Sequence, residues 1–423
     1  MNPNERTIVI GGGLAGLAAA ATLAEAGRLV TVLAKGMGGS THWSSGCIDV
    51  LGVYPIGATE LVEDPLAAVQ ALVTANPRHP YALAGEDALR TGLDLVKRVS
   101  SGAGLHYEGT IERNWRLPSP VGAPRPTCLA PTTMLAGDLR DPLPMLIVGF
   151  HPLRDFYPAL VAANLTAQGI PARAAFADVP TLTRRLDLMP VRLARLFEDA
   201  AFRQQVIDLV RPSLGEARRV GFPAVLGIDR PSDVVEHLQQ ALDLPVFEIP
   251  TLPPSVPGIR LQNAFQRALE RRRGRFLVGA EALSATLDDS RVLSIETEIA
   301  ARTMAHRGRD FVLATGGLLG GGLRTDYKGA VREVVFDLPV EALSERKAWF
   351  EPEFVAPQGH AIWRAGLMVD EQMRPLGPNG APVYANLRAA GLALAHADPL
   401  REKSLEGVSV ATGVRAAEGL LEG

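Results

Sequence analysis

The stretch Thr7-Ile8-Val9-Ile10-Gly11-Gly12-Gly13-Leu14-Ala15-Gly16 decides the fold. A short β-branched strand runs into Gly11-x-Gly13-x-x-Gly16, and an alanine-rich helix follows to about Glu25. Gly11 permits a tight turn, Gly13 lets the backbone approach a pyrophosphate, and Gly16 lets helix and strand pack closely. Leu14 and Ala15 open the helix, where unpaired amides and the positive dipole end favour phosphate. Gly27 ends the helix as a left-handed cap allows, and Leu29 to Leu33 reads as a second strand. Strand, glycine turn, helix and strand within about thirty residues are the context a dinucleotide fingerprint requires. An acid at the end of the second strand ordinarily binds ribose hydroxyls. Here that position falls at Ala34, followed by Lys35, which either faces a phosphate or is a solvated strand-end charge.

Working outward, the chain has 423 residues, more than one compact core holds. Apolar residues make up 47%, aromatics 5%, and the net charge is −3. Such a balance suits an α/β enzyme and calls for neither nucleic acid nor an anionic membrane. Two cysteines, Cys47 and Cys128, are too few for an iron–sulfur cluster, and no CxxC pair suggests a metal site. A reduced, cytoplasmic setting follows. The apolar run Ile8 to Ala24 is the one rival for a membrane anchor. It is glycine-rich, preceded by Asn4-Glu5-Arg6 rather than a cationic segment, and followed by Glu25.

Later motifs separate flavin from nicotinamide. Phe311-Val312-Leu313-Ala314-Thr315-Gly316-Gly317 resembles the ATGG strand of flavoproteins. Asn386-Leu387-Arg388-Ala389-Ala390-Gly391 resembles their late strand, and Gly407-Val408-Ser409 the start of a helix whose N-terminus faces the flavin pyrimidine. Ser44-Ser45-Gly46-Cys47 lies where such enzymes pass a small-residue loop beneath the flavin, with Cys47 read as a packing residue. The expected architecture is an α/β, Rossmann-like two-dinucleotide-binding flavoprotein fold, discontinuous, with an inserted smaller cap. Residues 1–185 and 256–423 form the flavin-binding domain and 186–255 the cap.

A more specific resemblance covers nearly the whole chain. Thr251-Leu252-Pro253-Pro254-Ser255-Val256-Pro257-Gly258-Ile259-Arg260-Leu261-Gln262-Asn263 looks like a signature of the B subunit of anaerobic glycerol-3-phosphate dehydrogenase. His42-Trp43-Ser44-Ser45-Gly46, Val121-Gly122, Arg125-Pro126-Thr127, Ala356-Pro357-Gln358 and Asp398-Pro399 match in order. The resemblance implies a flavoprotein working with two partners: a catalytic flavoprotein subunit, and an iron–sulfur subunit, which ties the pair to the membrane. It implies oxidation of glycerol 3-phosphate to dihydroxyacetone phosphate, with electrons passed toward quinone. Family descriptions assign FMN to the B subunit, whereas the fingerprint here argues for FAD, held noncovalently. The chain departs from the pattern at Leu392, where flavoproteins carry an acid, and at His396-Ala397 before Asp398. Candidate substrate or proton-handling residues are Arg125, Arg260, His360 and Arg364, since a phosphate ester suits the planar fork of arginine and histidine titrates near neutrality. Two rival readings are a stand-alone flavin dehydrogenase or fumarate-reductase-like enzyme with another small substrate, and a non-catalytic scaffold that keeps the fold.

Overall fold

The computed structural model describes residues 5–42, 44–180, 182, 188–299 and 302–423. Thr7–Ile10 is buried at every position and lies between Val30–Ala34 and Asp310–Leu313, both parallel to it. Arg275–Val278 and Leu387–Ala389 complete a five-stranded parallel sheet. The three central strands are buried at every position, as a sheet covered on both faces demands. Leu14–Glu25 is a helix with ten of its twelve residues buried, so its low polarity reflects burial on all sides. Its covering partner is the closing helix Leu405–Leu421. A side chain at Gly413 would overlap the Ala15 carbonyl, so only glycine allows this close crossing. Among the described residues no helix is long and apolar enough to cross a membrane.

A second parallel sheet has the order Val246–Ile249, Arg219–Pro223, Met145–Gly149, Ala172–Phe176. It has its own core, centred on Phe197, whose ring meets Phe150, Phe202 and Phe222 edge-on. The boundary expected near 185 falls at residues outside those described, and this sheet takes two strands from either side of it. Within the expected cap, whose Arg and Leu recur at helical spacing, Arg219–Pro223 is a buried strand. Its leading arginine disguised it. The Arg219 guanidinium is buried and donates to the carbonyls of Ala136, Asp138 and Asp141.

The proline-rich stretch from 114 to 144 contains an antiparallel hairpin, Trp115–Pro118 with Pro124–Thr127. Helix Val256–Arg271 returns the chain to the first sheet. Ser255 caps it by accepting from the Gly258 amide, and Pro257 sits in its first turn, where no donor is missed. A meander of Glu281–Asp288, Arg291–Ile299 and Arg302–Arg307 packs at the edge.

Candidate functional site

Three strand ends converge on the N-terminus of helix Leu14–Glu25. Gly11 has φ +120°, and a side chain there would overlap the Ala314 carbonyl oxygen. Gly13 is the N-cap and offers no side-chain cap, and the amides of Leu14, Ala15 and Gly16 find no acceptor among the described residues. The Thr315 hydroxyl is buried without a partner beside Gly316, which has φ +77°. Gly391, at φ +75°, sits where a Cβ would lie 2.7 Å from the Ala15 Cβ, and its amide donates to Thr412 Oγ1 at 2.9 Å. Unpartnered amides at a dipole end and an unpartnered hydroxyl fit a diphosphate.

The end of the second strand is closed by apolar groups. Ala34 is buried against Gly12, and a Cβ on Gly12 would lie 2.9 Å from that of Ala34 and 2.8 Å from the Phe276 ring. Lys35 pairs with Glu281 at 2.7 Å on the surface. Beside Gly391 lies a shallow hollow, open to solvent, walled by Gly317, Trp363, Leu392, Leu394 and Val408. Leu392 lines this hollow where an acid was expected.

The closing helix begins at Leu405, earlier than the Gly407 start expected from sequence, because Ser404 takes the N-cap position. Gly407, Val408 and Ser409 therefore lie inside the helix. The Gly407 amide donates to Asp49 O, the Val408 amide to Ser404 O, and the Ser409 hydroxyl to Leu405 O. A side chain at Gly407 would overlap the Tyr81 hydroxyl. This first turn docks on the loop holding Ser44, Ser45, Gly46 and Cys47. There the Ser44 hydroxyl donates to Thr41 O, the Cys47 amide donates to Ser45 Oγ at 3.0 Å, and the Tyr107 hydroxyl donates to Gly46 O at 2.6 Å. Trp43 of the same motif lies outside the described residues. Burial pushes the Cys47 thiol up to about 11, and its sulfur rests 3.6 Å from Met134 Sδ, the surroundings of a packing residue.

A charged cluster follows at once. Arg125, carried by the hairpin, donates from Nε at 3.0 Å and Nη2 at 2.6 Å to one oxygen, Asp49 Oδ2. Asp49 Oδ1 is buried without a donor. Burial opposes the Arg125 charge, but Asp49, with Cys47 and Glu406, outweighs it and raises its pKa. Glu406 is buried in the first turn of the closing helix, and burial followed by Asp49 pushes its carboxyl up to about 8. Lys403, half-buried and lowered by burial, stands against Gly52 beside Pro126. Asp49, Lys403 and Glu406 were missed in the sequence. For Asp49 and Glu406 the signal was charge inside apolar runs, Cys47-Ile48-Asp49-Val50-Leu51 and Leu405-Glu406-Gly407-Val408; Lys403, in Arg401-Glu402-Lys403-Ser404, carried none.

Other expected residues are placed elsewhere. Arg260 does not present a free fork to a ligand: it is 3% exposed and bonds Glu248 through Nη1 at 2.6 Å and Nη2 at 2.9 Å, and Gly227 O through Nε and Nη2. His360 is no free base. Its Nδ1 accepts from the Glu351 amide and its Nε2 donates to Phe354 O, stitching a surface loop. Arg364 donates to Gln358 O. Asp398 caps the short helix Pro399–Glu402 by accepting from the Arg401 amide, while its buried Oδ2 has no donor. Among the described residues no group of three or more His, Cys, Asp or Glu could hold a metal.

Comparison with known proteins agrees with this geometry. Residues 6–409 match the model of the FAD binding domain family. A probable B subunit of anaerobic glycerol-3-phosphate dehydrogenase from Halobacterium salinarum is 34% identical over 98% of this chain and 97% of its own. The B subunit of anaerobic glycerol-3-phosphate dehydrogenase from Yersinia pestis is 31% identical over the same shares. A solved 3-ketosteroid Δ1-dehydrogenase from Sterolibacterium denitrificans aligns over 100% of both chains with a TM-score of 0.46 and 13% identity. A Rossmann-like flavoprotein fold, a phosphate cradle and full-length relatives agree: the chain belongs to the FAD binding domain family and, within it, to the B subunits of anaerobic glycerol-3-phosphate dehydrogenase, which are flavin-dependent dehydrogenase subunits.

Proposed function

We propose that this chain is the FAD-carrying subunit of a complex that oxidises sn-glycerol 3-phosphate to dihydroxyacetone phosphate and passes the electrons to quinone through an iron–sulfur subunit. One observation carries the reading: the closing helix serves both ends of the site. Thr412 and Ser409 meet Gly391 above the phosphate cradle, while Gly407 and Glu406 meet Asp49 beside Arg125. Bound FAD supplies a two-electron acceptor. The amides of Leu14, Ala15 and Gly16 hold its diphosphate, noncovalently, and Thr315 adds a hydroxyl. Arg125 retains an Nη1 with no acceptor among the described residues, and Lys403 has no ion-pair partner there. Together they offer a cationic pair to a phosphate monoester. The unit built on the second sheet acts as the cap. Both cysteines are buried and supply no cluster, so a partner carries the iron and the membrane attachment.

The test is anaerobic addition of sn-glycerol 3-phosphate to the flavin-loaded protein, with glycerol as the control lacking phosphate. The expected result is bleaching of the flavin, with dihydroxyacetone phosphate formed, by the phosphate ester alone. Flavin that stays oxidised, or a colourless protein that neither FAD nor FMN reconstitutes, would overturn the reading.

A further inference from the structure

The first turn of a helix ordinarily favours an ionised carboxylate, because the unpaired amides and the dipole face it. Glu406 occupies that turn of the closing helix and yet lacks what an anion needs. It is 5% exposed and has no ion-pair partner among the described residues. Arg125 directs its Nε and Nη2 bonds at Asp49 Oδ2 and makes none to Glu406. The other oxygen, Asp49 Oδ1, is buried without a donor, so the site already carries one under-satisfied carboxyl. The two acids are joined through the backbone, the Gly407 amide donating to Asp49 O at 2.9 Å. Two neighbouring buried carboxyls that share one cation do not both ionise cheaply.

We propose that Glu406 is the proton-exchanging group of this site, a buried carboxylic acid held neutral beside the Arg125–Asp49 pair and able to give up its proton. Its carboxyl is pushed up to about 8 by burial first and Asp49 second, against Arg125 and the backbone amides of Glu406 and Asp49. The facing groups leave this window to it. Burial raises Cys47 to about 11 and lifts Tyr81 and Tyr107 above the ordinary tyrosine value. Lys403, lowered by burial, and the buried His79, which bonds Glu402 Oε2 at 3.3 Å, are the groups to separate experimentally, the first by its own variant and the second by comparison with Glu406→Gln. Below about pH 8 this end of the site is one negative charge poorer than above it, so a redox group that becomes anionic on reduction is favoured on the acid side. This consequence rests on the proposed FAD site; the protonation of Glu406 does not.

The experiment therefore has a flavin-free arm and a flavin-loaded arm. An unfolded Glu406 ionises near the ordinary value of 4.5, whereas the folded one holds its proton to about 8. The unfolded state thus binds fewer protons between these values, and stability falls as pH rises through the window and levels above it. In flavin-free protein the melting temperature of wild type should drop by several degrees from pH 6 to pH 9 relative to Glu406→Gln, and Lys403→Met should keep the wild-type drop. With FAD bound, the midpoint potential of wild type should show an additional break near pH 8 that Glu406→Gln lacks. Asp49→Asn should move both breaks to lower pH, because Glu406 then becomes the carboxylate available to Arg125. That variant decides the matter should Glu406→Gln fail to fold. Parallel pH curves for wild type and Glu406→Gln, or breaks that Asp49→Asn does not move, would overturn the proposal. A stability break without a potential break would place the fault in the proposed flavin site and not in Glu406.

Discussion

The pairs Arg260–Glu248 and Arg125–Asp49 share a closest approach of 2.6 Å, and they differ in what is left over. At Arg260–Glu248 little is. Glu248 Oε2 accepts from Arg260 and the Thr133 hydroxyl, Oε1 accepts from Arg260 and the Leu226 amide, and the remaining Arg260 bonds go to Gly227 O. At Arg125–Asp49 both bonds fall on one oxygen, the other oxygen has no donor, and a second buried acid lies close by. A buried charge pair closed on all sides fixes the join between the second sheet and helix Val256–Arg271. A pair with unused bonding capacity is where a ligand or a proton can be accommodated.

The largest effect expected from breaking this contrast is Glu248→Ala. Arg260 would be left charged and buried, at a cost of about 3–5 kcal/mol, read by chemical denaturation. A loss under about 1 kcal/mol would show that the pair is not structural. Thr133→Val removes one hydrogen bond to the buried carboxylate, which contributes about 1.5–3 kcal/mol, and should lower stability without touching flavin chemistry. The smallest effect belongs to Lys35→Ala. Its pair with Glu281 is exposed and contributes about 0–1 kcal/mol. FAD affinity, followed by fluorescence titration, should stay within about twofold; a tenfold weakening would make Lys35 a phosphate ligand after all.

The first strand, glycine turn and helix were legible because their signal is local: glycines at fixed offsets and a run of apolar residues. The strand Phe311–Leu313 with Thr315-Gly316 was legible for the same reason. The strand Arg219–Pro223 of the second parallel sheet was hidden, because an arginine opens it and its burial depends on carbonyls supplied from residues 136–141. The start of the closing helix was misplaced because Gly407 resembles a helix start, whereas packing against Asp49 and Tyr81 is what requires glycine there. Arg125 was singled out from its loop, but its partner was not, since the two are 76 residues apart and meet only through the hairpin. Arg260 and His360 carried the right chemistry in the wrong places: their partners, Glu248 and the Glu351–Phe354 loop, are visible only in the fold.

The central claim is that the Arg125 end, not the Arg260 end, is the working end of an FAD-dependent dehydrogenase. The most direct measurement is the anaerobic rate at which sn-glycerol 3-phosphate bleaches bound flavin in wild type, Arg125→Gln and Thr133→Val. Thr133→Val should bleach at the wild-type rate despite its lower melting temperature. Arg125→Gln should slow at least about tenfold, the equivalent of about 1.4 kcal/mol of lost transition-state stabilisation. An Arg125→Gln protein that bleaches as fast as wild type, while Thr133→Val does not, would contradict the account.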